Sequence, residues 1–190
     1  MAILVLQTKP SILIMALEKD IQQTDFRNEY QKGLLNICYT YYFLISHVNE
    51  LFKKHDITRQ QYNVLRILRG QHPNQVSVYS IRDRMLDKMS DASRIVERLR
   101  LKELVIRKSA EKDKRAAAVS ISDQGLALLE AMEPETEIMD SLLSNLSEKE
   151  VQLLNTLLDK IRSGLSSLPN AEAKNEKDKA VEKIRTLASL

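Results

Sequence analysis

Two short amphipathic segments separated by almost nothing constrain this chain more than any of its other features. Ser77 can cap a helix carrying Ile81, Met85 and Leu86, and after a turn at Asp87–Met89 a second helix is expected from about Ser90 to Lys102. Two helices joined by so short a turn are a helix-turn-helix candidate. Val105–Lys108 and Ala116–Ile121 then read as short strands on either side of the polar, basic stretch Ser109–Arg115. That pattern predicts a β-hairpin with a charged tip.

Longer helical stripes flank this centre. Asp25–Lys54 reads as one helix, with Leu34, Ile37, Cys38, Tyr41, Ile45, Val48 and Phe52 recurring along one face and Leu35, Tyr42, Leu44 and Leu51 widening it. So broad an apolar arc exceeds what one small domain needs to cover, which predicts packing against a second subunit as well. Thr58 and Gln61 have capping-box spacing, and the helix they open carries Tyr62, Leu65, Ile67 and Leu68 before Gly70 and a loop at Gln71–Gln75. Downstream, Ser122 should cap a helix running to about Asn145, kinked or broken at Pro134. Ser147 and Glu150 form another capping box, opening a helix striped by Val151, Leu154, Leu158, Ile161 and Leu165. Ser166–Asp178 is polar and linker-like, while Ala180, Val181, Ile184 and Leu187 could support a last short helix.

Composition agrees with a mainly helical chain of one ordinary domain: 190 residues, with only four Gly, four Pro and no Trp. The single Cys38 excludes an intrachain disulfide, and no stretch approaches the roughly 18 apolar residues of a membrane span. Met1–Leu17 is apolar but broken by Lys9 and Pro10, with no basic segment before it, so a secretory signal is not expected and the cytoplasm is the simplest compartment. His47, His55 and His72 are scattered and have no metal-ligand spacing with Cys38; phosphate-binding loops, dinucleotide fingerprints and nucleophile elbows are absent from the sequence. No enzyme, metal site or cofactor is expected. The net charge of +3 hides a segregation: Lys53–Arg115 holds 17 Lys and Arg against 8 Asp and Glu, a net +9, and the remainder is net −6. A basic centre between acidic arms suits a polyanion, although a solvated helical surface would look the same by charge alone.

The blocks Ile57–Leu65, Ser93–Leu99, Leu104–Arg107, Asp113–Arg115 and Val119–Gly125, with the spacings between them, resemble the MarR family of bacterial transcription regulators over about Asp25–Leu165. The resemblance implies a mainly α fold with a small β-wing: a winged helix-turn-helix between long N- and C-terminal dimerisation helices. The expected divisions are 1–56, an N-terminal segment and dimerisation helix; 57–122, the winged helix-turn-helix; 123–166, C-terminal dimerisation helices; and 167–190, a polar tail. Function by resemblance is that of a homodimeric regulator, commonly a repressor, gripping a pseudo-palindromic site on double-stranded DNA. The same residues also leave open a winged helix used for protein contact and a nonspecific architectural DNA binder. Two positions depart from the family pattern. Glu103 stands where a Gly usually ends the recognition helix, and Arg100 replaces an acidic residue.

A helical wheel of the segment from Ser90 places Met89, Ala92, Ile95, Val96 and Leu99 on one side and Ser90, Arg94 and Glu97 opposite, flanked by Ser93 and Arg98. Leu101 points outward, against the pattern. The major groove admits one α-helix, and an Arg there can contact guanine through two hydrogen bonds. Arg94 is the expected base reader, with Ser90, Asp91, Ser93 and Arg98 near base edges or phosphates; a surface salt bridge to Glu97 is the alternative role for Arg94. By resemblance, Arg115 enters the minor groove, Asp113 holds the wing or the arginine in position, and Lys112 and Lys114 take phosphates. The family also implies a small aromatic ligand between dimerisation helices and wing, which Tyr41, Tyr42 and Tyr62 could line, although aromatics on such a stripe more often simply pack. A branch of the family senses peroxide through a first-helix cysteine. Cys38 has no basic residue in its turn and lies on the apolar stripe, so an inert buried thiol is expected instead.

Overall fold

The computed structural model describes residues 16–110 and 113–165, the side chains of 109–117 excepted. Contacts divide the chain into two compact units, Met1–Glu133 and Pro134–Leu190.

The first unit begins with the one-turn helix α1 (Leu17–Asp20) and the long helix α2 (Glu29–Lys53). The Asn28 side chain accepts the Gln31 N–H, so α2 starts four residues after the expected Asp25. Its apolar stripe sinks progressively into the unit. Leu34, Ile37 and Tyr41 are exposed, Ile45 and Val48 half-buried, and Phe52 buried. Helix α3 (Arg59–Arg69) opens on the expected capping box, with both Thr58 and Gln61 bonds formed.

After the loop, Val76–Ser77 makes a short strand β1 that sequence reading missed, since two residues have no period to detect. Ser77 then caps α4 (Val78–Arg84) by accepting the Ser80 N–H, and a turn leads to α5 (Ala92–Leu101). Strands β2 (Val105–Ala110) and β3 (Asp113–Ile121) follow. The three strands form an antiparallel sheet of order β1-β3-β2, with Val76 opposite Val119 and Val105 opposite Ile121. The hairpin strands are longer than expected, so Asp113, Lys114 and Arg115 belong to β3 and not to the tip. Ser122 caps α6 (Asp123–Ala131) as predicted, but the helix breaks at Met132, two residues ahead of Pro134. Pro134 instead sits in the first turn of α7 (Glu133–Ser141), where its missing N–H costs nothing.

One core holds the first unit together. Phe52, Val64, Leu65, Leu68, Ile81, Met85, Val96, Leu99, Val119 and Met132 are almost wholly buried, so the ends of α2 and α6, the helices α3, α4 and α5 and the strand β3 all contribute to it. In the second unit, α8 (Glu148–Leu165) starts on the Ser147–Glu150 box: the Glu150 carboxylate accepts from Ser147 N at 2.8 Å and Oγ at 2.7 Å. Those bonds hold the Glu150 carboxyl below its ordinary pKa, the hydroxyl first. Leu153, Leu157, Ile161 and Leu165 of α8 are exposed, whereas Val151, Leu154 and Leu158 are half-buried. Residues 1–15 and the short helix expected near Ala180–Leu187 lie outside the described residues. Among the described residues no helix is long and apolar enough to cross a membrane.

Candidate nucleic-acid interface

Helix α5 is held at both ends by local chemistry. At its start the cap is Asp91, whose carboxylate accepts the Arg94 N–H at 3.1 Å, so α5 begins two residues after the expected Ser90. Ser90 is already committed, donating its hydroxyl to the Asp87 carboxylate at 2.7 Å, while Asp87 also accepts the Met89 N–H at 3.0 Å. The Ser90 hydroxyl, followed by the Met89 amide, lowers the Asp87 carboxyl below its ordinary pKa. Asn63 fixes the same turn from α3, accepting the Leu86 N–H at 3.0 Å.

At the other end the chain forms a Schellman closure. Leu104 N–H donates to Leu99 C=O at 3.0 Å and Glu103 N–H to Arg100 C=O at 2.9 Å, with Leu99 and Leu104 both buried. Glu103 occupies the left-handed position with φ 61°. The departure from glycine noted in the sequence is therefore accommodated as strain, worth about 1 kcal/mol, and not by a different turn. Ser122 braces the strained residue by donating its hydroxyl to the Glu103 carbonyl at 2.7 Å. Gly125 lies so close to Leu104 that a Cβ there would overlap the Leu104 carbonyl oxygen and stand 2.8 Å from Ile121 Cγ1. The end of α5, the base of the wing and the start of α6 thus converge on Leu104.

With both ends fixed, α5 buries Ala92, Val96 and Leu99 and turns Ser93, Arg94, Arg98 and Leu101 outward. Met89, placed on the buried side by the wheel, is exposed, because the helix has not begun there. Glu97 does not pair with Arg94. Its carboxylate accepts from Arg100 (Nη2 at 2.7 Å, Nε at 3.1 Å) and, across to β2, from Arg107 Nη1 at 3.4 Å. These cations, Arg100 first, depress the Glu97 carboxyl. Among the described residues the Arg94 guanidinium has no hydrogen bond or ion pair, and it is exposed. Of the five expected α5 residues, Ser93, Arg94 and Arg98 are outward side chains without an intrachain hydrogen bond among the described residues, whereas Ser90 is half-buried and bonded to Asp87, and Asp91 is exposed but accepts the Arg94 amide. In the wing, Lys112 lies outside the described residues, and so do the side chains of Asp113, Lys114 and Arg115.

Arg98 also borders a feature that sequence reading missed, an open cavity of about 520 Å³ lined by Lys53, Asp56, Ile57, Thr58, Gln61, Arg98, Leu101 and Lys102. The outward Leu101 was its one sequence signal. Lys102 closes one side, bonding through Nζ to the Asp56 carboxylate at 2.9 Å and to the Asp56 carbonyl, which ties the end of α5 to the turn after α2. None of the three tyrosines lines this cavity. Tyr41 and Tyr42 meet edge to face at 5.5 Å on α2, and the Tyr41 hydroxyl accepts from Arg59. Tyr62 packs instead against Phe52 at 4.8 Å. Cys38 is exposed in the single chain, on an apolar stripe that the described residues leave uncovered around Leu34, Ile37 and Tyr41. No cluster of metal-ligating side chains occurs among the described residues.

Known proteins share this arrangement. A sequence model of the MarR family matches residues 55–116. The HTH-type transcriptional regulator MhqR of Bacillus subtilis (strain 168) is 29% identical over 116 residues, 60% of this chain and 79% of that protein. A MarR transcription factor from Planctomyces limnophilus is 29% identical with a TM-score of 0.55, covering 71% of this chain and 98% of that one. A mutant MarR from E. coli, solved in complex with operator DNA, is 25% identical with a TM-score of 0.61, over 73% of this chain and 99% of that one. The braced helix-turn-helix, its three-stranded wing sheet and these likenesses agree: the chain has the fold of the MarR family of winged helix-turn-helix transcription regulators and is similar to that family in sequence over residues 55–116.

Proposed function

We propose that the chain represses transcription as a homodimer that grips a pseudo-palindromic operator through α5 and the β2–β3 wing of each copy. The observation that carries this reading is the outward, unpaired Arg94 on a helix whose opposite face is locked into the core. A bidentate arginine–guanine contact discriminates against a wrong base by about 1–3 kcal/mol. Ser93 and Arg98 would lie along the same groove, and Lys112, Lys114 and Arg115 of the wing, positioned by Asp113, would meet phosphates and the minor groove. Dimerisation is supported by the uncovered apolar faces of α2 (Leu34, Ile37, Tyr41) and, in the other unit, α8 (Leu153, Leu157, Ile161). In this organisation residues 1–56 and 123–166 frame the dimer, 57–122 bind DNA and 167–190 form a tail.

Release by a small aromatic anion belongs to the same proposal. The cavity beside α5 offers Lys53 and Arg98 to a carboxylate and Ile57 and Leu101 to a ring, a better-matched set than Tyr41, Tyr42 and Tyr62. An occupant there bears on α5 and can favour one placement of the recognition helix over another, which is the only way a ligand changes affinity.

The test is selection of bound duplexes followed by titration at several salt concentrations. The proposal expects a two-fold symmetric consensus with half-sites about one helical turn apart, and affinity falling steeply with salt. Arg94→Ala with Arg115→Ala should abolish selective binding while sedimentation still reports a dimer. Absence of salt-dependent affinity for any duplex overturns the proposal. Equal affinity for selected and random duplexes would make the protein an architectural binder instead.

A further inference from the structure

The turn that leads into α5 carries two of the most exposed apolar side chains of the described residues, Leu86 at 86% and Met89 at 80%. Neither is needed by the core, because Met85 and Ala92, on either side of them in sequence, supply the buried contacts. Nor is the turn loose. The Leu86 amide is held by Asn63, the Met89 amide by Asp87, and Asp87 is held in turn by Ser90. A single exposed leucine or methionine on a protein surface is ordinary. Two on one rigid turn are held out toward something: they stand just before the N-terminus of a recognition helix, among the exposed cations Arg84, Lys88 and Arg94, while the carboxylates of the same stretch are engaged by Arg82 (Asp83), by Ser90 (Asp87) and by the α5 cap (Asp91).

The surrounding charge says what that is. A protein partner for an apolar pair would be apolar itself, whereas the cations around this pair suit a phosphate backbone. The first residues of a recognition helix are those that reach base edges in the major groove, and the one apolar group presented there is the C5-methyl of thymine. Resting on the operator-binding reading above, we infer that Leu86 and Met89 form an apolar reader of thymine methyl groups, adding to each half-site a sequence preference separate from the guanine preference of Arg94. Methionine is well suited to such a contact, because its flexible, polarisable thioether follows a methyl group more easily than a branched side chain does.

Deoxyuridine differs from thymidine only by lacking that methyl, so it tests the contact with no change of hydrogen bonding. In a duplex recovered by selection, each thymine would be replaced by uracil in turn, and affinity measured for the wild type and for Leu86→Ala/Met89→Ala. The expected result is a loss of about three- to tenfold at one or two thymines per half-site for the wild type, on the scale of burying one methyl group. In the double variant that loss should shrink to less than twofold, with circular dichroism unchanged because both side chains are exposed. Salt-dependent, Arg94-dependent binding that ignores the methyl at every position overturns this inference alone. The same holds if the double variant discriminates thymine from uracil as well as the wild type does. A protein with no salt-dependent affinity for any duplex overturns it together with the operator-binding reading.

Discussion

Replacing Gly125 by alanine tests whether the convergence on Leu104 is as tight as the geometry says. In a helix interior the change from Gly to Ala ordinarily stabilises by about 0.8–1.0 kcal/mol. Here the new Cβ would overlap the Leu104 carbonyl oxygen and lie 2.8 Å from Ile121 Cγ1. Carbon–carbon contacts settle at roughly 3.5–4.0 Å, so at least about 0.7 Å of movement is required. The Leu104 carbonyl can give way only at the expense of the Ser122 N–H bond it accepts at 3.2 Å, and Ile121 only by leaving the buried face of β3. Overpacking of this kind costs about 1–3 kcal/mol and the strained hydrogen bond about 1 more, against less than 1 recovered from propensity. A net loss of about 1–3 kcal/mol follows, or some 3–10 °C in melting temperature for a chain of this size. Gly33 provides the control, because a Cβ there meets nothing within 4 Å. Gly33→Ala should therefore show the ordinary gain of about 0.5–1 kcal/mol. Urea denaturation followed by circular dichroism would rank the variants. If Gly125→Ala proves neutral or stabilising like Gly33→Ala, the close approach of α6 to the wing is not real.

Three other expectations concern the frame of α5. Glu103→Gly removes the strain at φ 61° and should raise stability by up to about 1 kcal/mol in the same assay, with no gain refuting a left-handed Glu103. Asp91→Ala loses the cap and should cost about 1 kcal/mol, while Asp91→Asn, which caps equally well, should cost little; equal losses would mean that Asp91 matters through its charge. The folded Asp87 carboxyl is lowered, chiefly by the Ser90 hydroxyl, so its contribution is complete above the ordinary carboxylate range and disappears as pH falls through the folded pKa. The melting-temperature gap between wild type and Asp87→Asn should accordingly be widest near neutral pH and close in acid, and a gap indifferent to pH would refute the assignment.

What could be read from sequence was local, and what could not was decided by competition or by a missing neighbour. Thr58, Ser77, Ser122 and Ser147 were all legible as caps because a cap is complete within three residues. Helix α5 starts two residues after the expected Ser90 because, of two residues able to cap, the Ser90 hydroxyl is taken by Asp87 and the Asp91 carboxylate is left to accept the Arg94 amide. Met89 was assigned to the buried side by extending a helical wheel past the helix start, where the periodicity no longer holds. Strand β1 was too short to have a pattern, and the hairpin was read too short because Asp113, Lys114 and Arg115 have little strand propensity of their own. Their place in β3 comes from pairing, with Asp113 opposite Ala110. The apolar stripe of Cys38 is exposed in the single chain, and periodicity cannot say whether such a face is covered by its own chain or by a second one.

The bracing of α5 bears on how such a lobe can be regulated. Asp91 and Asp87 fix its entrance, the Schellman closure and Gly125 fix its exit, and Glu97 spans to Arg107 of the wing. Side chains held this way meet a groove without first being ordered, so less of the contact energy is lost to entropy. The same rigidity removes bending of α5 as a means of switching, because a packed core moves as a body more readily than it deforms. On the ligand-release proposal, control would act where the lobe is joined to the long helix before it. That junction is the turn after α2, where Asp56, itself left-handed with φ 52°, is held by Lys102 from the end of α5. The cavity opens at this same place, so on the ligand-release proposal an occupant would bear on a connection between α2 and the end of α5.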